Sequence, residues 1–67
     1  MDSKIKLKVG DKVRVKAGLG IVSGWEGYII EIRGNKAWVD FPYVDIRWIF
    51  LEDLELVRRN EQNRKNL

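Results

Sequence analysis

The sequence predicts an all-β domain, five short strands bent into a small barrel, and two observations carry that expectation. Apolar and polar residues alternate with period two in short runs at 12–16, 28–32, 37–41 and 46–51, the spacing of strands with one buried face. Between the second and third runs stands Arg33-Gly34-Asn35-Lys36, whose central pair suits a two-residue primed turn with positive φ at both positions. A chain of 67 residues holds one domain with little core to spare. Five strands within its first 57 residues leave few arrangements, and a bent barrel both closes the sheet edges and buries one face of each strand.

In chain order, Lys4 to Val9 alternates with Ile5, Leu7 and Val9 on one side and Lys4, Lys6 and Lys8 on the other. Gly10-Asp11 interrupts it as a turn or bend, and Val13 and Val15 resume the pattern against Lys12, Arg14 and Lys16. Residues 1–7 read as an extended lead-in or a first half-strand. Glycines at 18, 20 and 24 make the following segment an irregular loop with an apolar tip. The second strand puts Tyr28, Ile30 and Ile32 on one face; the third puts Ala37, Val39 and Phe41 inward, Trp38 and Asp40 outward. Pro42 to Asp45 connects to Ile46–Leu51, where either face can be the inner one, with Trp48 assigned to the core. Glu52-Asp53-Leu54 has the composition of a short 3-10 turn, and Glu55-Leu56-Val57 of a closing strand. The domain is thus expected over 1–57, and 58–67, nearly devoid of apolar residues, is expected to be a flexible basic tail.

Composition removes several kinds of chemistry. With no Cys and no His, there is no disulfide framework, no Cys/His zinc site, no thiol nucleophile and no histidine base. The carboxylates form no pair with catalytic spacing, so the chain is expected to be non-enzymatic, without cofactor or metal. No apolar run approaches the roughly 20 residues of a membrane span, and the first residues lack the apolar stretch of a signal peptide, so a cytoplasmic protein is expected. The net charge of +3 hides a division: +4 over residues 1–16, −4 over 17–57 and +3 over 58–67. If folding brings both basic ends to one side, the molecule has a positive and a negative flank.

Val9-Gly10-Asp11-Lys12-Val13-Arg14-Val15, then Gly24-Trp25-Glu26-Gly27-Tyr28-Ile29-Ile30-Glu31-Ile32, and finally Phe50-Leu51-Glu52-Asp53-Leu54-Glu55-Leu56-Val57 resemble the opening and ending of KOW-type and other SH3-like barrels over residues 8 to 57. The resemblance implies a binding module. KOW domains of ribosomal proteins and transcription elongation factors bind RNA or a polymerase. SH3 domains bind proline-rich peptides, a photosystem I subunit of this fold is a protein-docking element, and a plasmid-borne dihydrofolate reductase is a tetramer of similar barrels. The aromatic pair of a peptide groove is missing near the start, and the glutamine and tyrosine of the reductase strand are missing around Val44–Trp48.

The leading functional expectation is association with nucleic acid, or with a ribonucleoprotein or polymerase complex. It rests on the cation row Lys4, Lys6, Lys8, Lys12, Arg14 and Lys16. Alternate side chains of a strand are about 6.6 Å apart, close to the spacing of successive phosphates on one strand. Arg58, Arg59, Arg64 and Lys65 form a second basic arm, with Trp25 and Tyr43 as stacking contacts. The same lysines also suit an edge strand that resists aggregation. The alternative is a protein-binding or self-associating module using Trp38, Glu31, Asp40 and Arg47 or an open sheet edge.

Overall fold

A computed structural model describes residues 6–60. The chain runs β1 (Lys12–Val15), a 3-10 turn (Gly20–Val22), β2 (Glu26–Arg33), β3 (Lys36–Phe41), β4 (Asp45–Phe50), a second 3-10 turn (Leu51–Asp53) and β5 (Leu54–Arg58). The strands form one antiparallel sheet in the order β4-β3-β2-β1-β5. The sheet is not closed: β4 and β5 are its two edges among the described residues.

Val13, Val15, Ile29, Ala37, Val39, Phe41 and Leu54 are buried on one face of the sheet. Leu7, Leu19, Val22, Trp25, Ile32, Ile49 and Leu51 pack around them. β1 is short and its lead-in irregular, as the Gly10-Asp11 break suggests. Gly10 has φ +94°, which turns the chain so that its N–H and the Ile29 N–H continue the ladder with β2, as Gly10 N–H to Ile29 O (2.7 Å) and Ile29 N–H to Asp11 O (3.1 Å). Ile5 lies outside the described residues, Leu7 reaches the core and Val9 is exposed.

Four expectations are corrected. Tyr28, Ile30 and Ile32 do not share one face: Tyr28 and Ile30 are exposed, Ile29 is buried and Ile32 packs against the core. A bulge between Ile29 and Glu31 in the β2–β3 pairing then resets the alternation, so that Ile32 returns to the buried side. Trp48 is not a core residue; it is 40% exposed on the outer face, because β4 turns its 45-47-49 row inward opposite Phe41, Val39 and Ala37. In the hairpin only Gly34 takes positive φ (58°), with Asn35 in the ordinary region, as in a turn that needs glycine only at its first central position. Finally, β1 is not an edge but lies between β2 and β5, which removes the aggregation-guard explanation for its cations.

Candidate nucleic-acid interface

The site is assembled by one buried carboxylate. Asp11 follows the Gly10 turn, is fully buried, and accepts the Lys8 N–H at Oδ2 (2.9 Å) and the Asn60 N–H at Oδ1 (2.8 Å). Arg59 lies 3.7 Å from the same carboxylate and donates to the Lys6 carbonyl at 3.2 Å. One side chain thereby ties the lead-in to the end of β5, and the β1–β5 ladder places Lys12 opposite Arg58. The cations of the two basic segments, Lys6, Lys8, Lys12, Arg58 and Arg59, gather along one flank of the sheet. Lys6, Lys8 and Arg58 are exposed and form no ion pair among the described residues. Lys4, Arg64 and Lys65 lie outside the described residues.

Arg14 and Lys12 of the expected row are compensated by acidic partners. Arg14 donates Nε to Glu26 (3.1 Å) and Nη1 to Glu55 (3.3 Å), bridging β2 and β5 across the outer face. Lys12 is 3.6 Å from Glu26. The Arg14 hydrogen bond holds the Glu26 carboxyl below the usual glutamate range, with charge attraction from Arg14 and Lys12 adding to it against desolvation. In return Glu26, then Glu55, raise the Arg14 pKa. Lys16 is exposed just past β1, its N–H bonded to the Asp53 carbonyl at 2.9 Å.

Trp25 and Tyr43 stand away from this flank. Trp25 packs edge-on against Phe41 with centroids 5.4 Å apart, and Arg47 covers its ring at 5.5 Å. Tyr43 is fully exposed at the β3–β4 turn with φ +69°. The alternative protein-binding set is divided between faces. Trp38, Asp40 and Glu31 share the outer face, whereas Arg47 lies on the inner side over Trp25, 3.4 Å from Asp45.

Sequence reasoning did not pick out a second cluster, on the outer face toward β4. Trp38 and Trp48 are cross-strand partners with ring centroids 4.9 Å apart and a 33° tilt. Arg33 lies 5.7 Å over Trp48 while its Nε donates to Glu31 at 2.7 Å, and Lys36 lies 5.5 Å over Phe50. Arg33, Lys36 and Trp48 line a shallow open depression of about 340 Å³. The signal was the Ile46-Trp48-Phe50 alternation itself, legible once that row is placed outward. Among the described residues no group of three or more acidic, Cys or His side chains converges to hold a metal ion, and no helix is long and apolar enough to cross a membrane. No protein-family model, curated protein or solved structure matches the chain.

Proposed function

We propose that this chain is a non-catalytic binding module that associates with nucleic acid, alone or within a nucleoprotein or polymerase complex, through the basic flank of β1 and β5. The observation that carries the proposal is the convergence of both basic segments: Lys12 lies opposite Arg58, and Arg59 bonds to the carbonyl of Lys6. Lysines and arginines along one flank neutralise backbone phosphates and release counterions, without requiring a sequence-specific groove. Glu26 and Glu55 are engaged by Arg14, and Glu26 by Lys12 as well, and so do not oppose the flank at full strength. The same reading takes the bent sheet as an SH3-like barrel. The five strands, the bulges in the β1–β5 and β2–β3 ladders and the 3-10 turn before β5 support it.

Fluorescence anisotropy with a labelled oligonucleotide tests the proposal. About four phosphate contacts give a log–log salt slope of roughly −2.8 to −3.6, so binding weakens by roughly 50- to 150-fold between 50 and 200 mM salt. The double variant Lys8→Glu/Arg58→Glu, both exposed side chains outside the Asp11 hydrogen bonds, is expected to lose binding with an unchanged circular dichroism spectrum. Undetectable binding at low salt, or binding that salt and the variant leave unchanged, overturns the reading.

A further inference from the structure

The other free edge of the sheet, β4, has a different character. β4 carries Ile46, Trp48 and Phe50 side by side on its outer face, and all three are exposed. Their backbone groups are oriented as well. The Leu51 N–H bonds to the Asn35 carbonyl at 2.8 Å, in register with the β3–β4 pairing. Residues facing across an antiparallel ladder alternate between hydrogen-bonded and non-hydrogen-bonded pairs. Residues 45, 47, 49 and 51 therefore bond to β3, while Ile46, Trp48 and Phe50 direct their N–H and C=O groups to the open edge. The Ile46 N–H fits this orientation, since it is held by the Asp45 side chain at 2.8 Å and not by β3. A six-residue edge strand with three exposed apolar side chains and outward backbone groups is a template for another strand.

The pattern is self-complementary, and we infer that the partner of this edge is a second copy of the chain, paired β4 to β4 antiparallel about a two-fold axis at Trp48. In that register Ile46 faces Phe50 of the second copy, Trp48 faces its own equivalent, and Arg47 faces Ile49. All three outward residues become hydrogen-bonded pairs, giving up to about six main-chain bonds. Shifting the register by two residues toward the strand start sets Arg47 against Arg47, like charges directly opposite. Charge favours the same arrangement. The outer face is basic at its Phe50 end, through Lys36 and Arg33, and acidic at its Ile46 end, through Asp40. An antiparallel two-fold lays each basic end beside the acidic end of the other copy. The Trp38–Trp48 stacks then meet as a row of four tryptophans on one continuous sheet. The other edge, β5, is a poorer complement, because its exposed Glu55 and Arg58 would face the apolar row. Dimerisation leaves the basic flank uncovered, so it does not depend on nucleic-acid binding.

Sedimentation equilibrium across micromolar to millimolar protein, paired with amide hydrogen exchange by NMR, tests the inference. The expected result is a concentration-dependent species of twice 7.9 kDa, with the Ile46, Trp48 and Phe50 amides protected in step with dimer formation. Trp48→Lys sets two cations on the axis and is expected to weaken the dimer at least tenfold while leaving the monomer folded. Asp45→Ala removes the side chain that competes for the Ile46 N–H and is expected to tighten the dimer, an effect that loss of folding cannot imitate. A chain that stays monomeric at millimolar concentration overturns the inference. So do a dimer in which those three amides stay unprotected, or open-ended assemblies that signal β4-to-β5 pairing.

Discussion

Asp11 shows how much one side chain can organise in so small a domain. In the sequence it is an acid in a row of lysines behind a glycine, the composition of a solvated turn. In the fold it is fully buried, and its two oxygens bond backbone N–H groups from Lys8 and from Asn60, the second 49 residues away. Asp11→Ala removes both acceptors and the partner of Arg59. The expected cost is on the order of 3 kcal/mol, a large share of the roughly 5–15 kcal/mol that holds a domain. Urea denaturation measures it, and a loss below about 1 kcal/mol would mean that the carboxylate does not clamp the two segments. Glu26 offers a second check at this scale. Its folded pKa lies below the usual value because of the Arg14 hydrogen bond, so the carboxylate adds stability above the ordinary glutamate range. That contribution is lost as pH falls through the lowered value. Glu26→Gln is therefore expected to be less stable than the wild type at pH 7, the difference closing in acid; thermal melts at pH 7 and pH 3 compare them. A difference that holds or widens in acid would contradict the link.

At the scale of elements, β2 shows what the sequence could and could not display. The existence of the strands, the hairpin and the 3-10 turn was legible, because period-two alternation and glycine placement are local properties. The inward face of β2 was not. Tyr28-Ile29-Ile30-Glu31-Ile32 satisfies period two on one face, yet a bulge lets Ile29 and Ile32 share the buried side and leaves Ile30 outside. A bulge depends on how β3 pairs, which no local pattern displays. Gly27 contributes to that pairing. It sits in the strand and not at a turn, and a Cβ there would collide with the Asp40 carbonyl and come within 2.9 Å of the Phe41 ring. The substitution that separates the two readings of β2 is Ile29→Ala against Ile30→Ala. The first is expected to cost about 3 kcal/mol and the second less than about 1 kcal/mol. The opposite ranking in denaturant unfolding would restore the period-two face. The same limit hid the β4 surface. Its alternation was plain, but only the pairing of Trp38 with Trp48 decides which row faces outward. The basic site was half legible: the cations were evident, while their sorting into a free flank and a neutralised Arg14–Glu26–Glu55 bridge is a property of strand order.

For the whole molecule, the two edges of the sheet differ in character, a basic flank at β1 and β5 and an apolar edge at β4. If both edges function as proposed, a two-fold pairing through β4, which carries none of the flank's cations, makes the dimer bivalent toward nucleic acid. Two copies side by side span at most about twice the 42 Å long axis of one. At 3.4 Å per base pair, a 30-base-pair duplex is about 100 Å long and reaches both flanks, whereas a 10-base-pair duplex, about 34 Å, engages one. Linked binding sites commonly raise the apparent affinity by 10² or more when both can be reached at once. At protein concentrations where the dimer forms, the long duplex is therefore expected to bind roughly 100-fold tighter than the short one, beyond the statistical gain from its extra sites. Trp48→Lys, which keeps the basic flank, is expected to lose that advantage yet bind the short duplex as the wild type does. Lys8→Glu/Arg58→Glu is expected to lose both duplexes while still forming the dimer. Anisotropy titrations on the two lengths, run beside sedimentation of each variant, separate the edges. If Trp48→Lys kept the full length advantage, bivalence through β4 would be excluded; if it lost the short duplex as well, the outer face of β4 would have to be part of the nucleic-acid site.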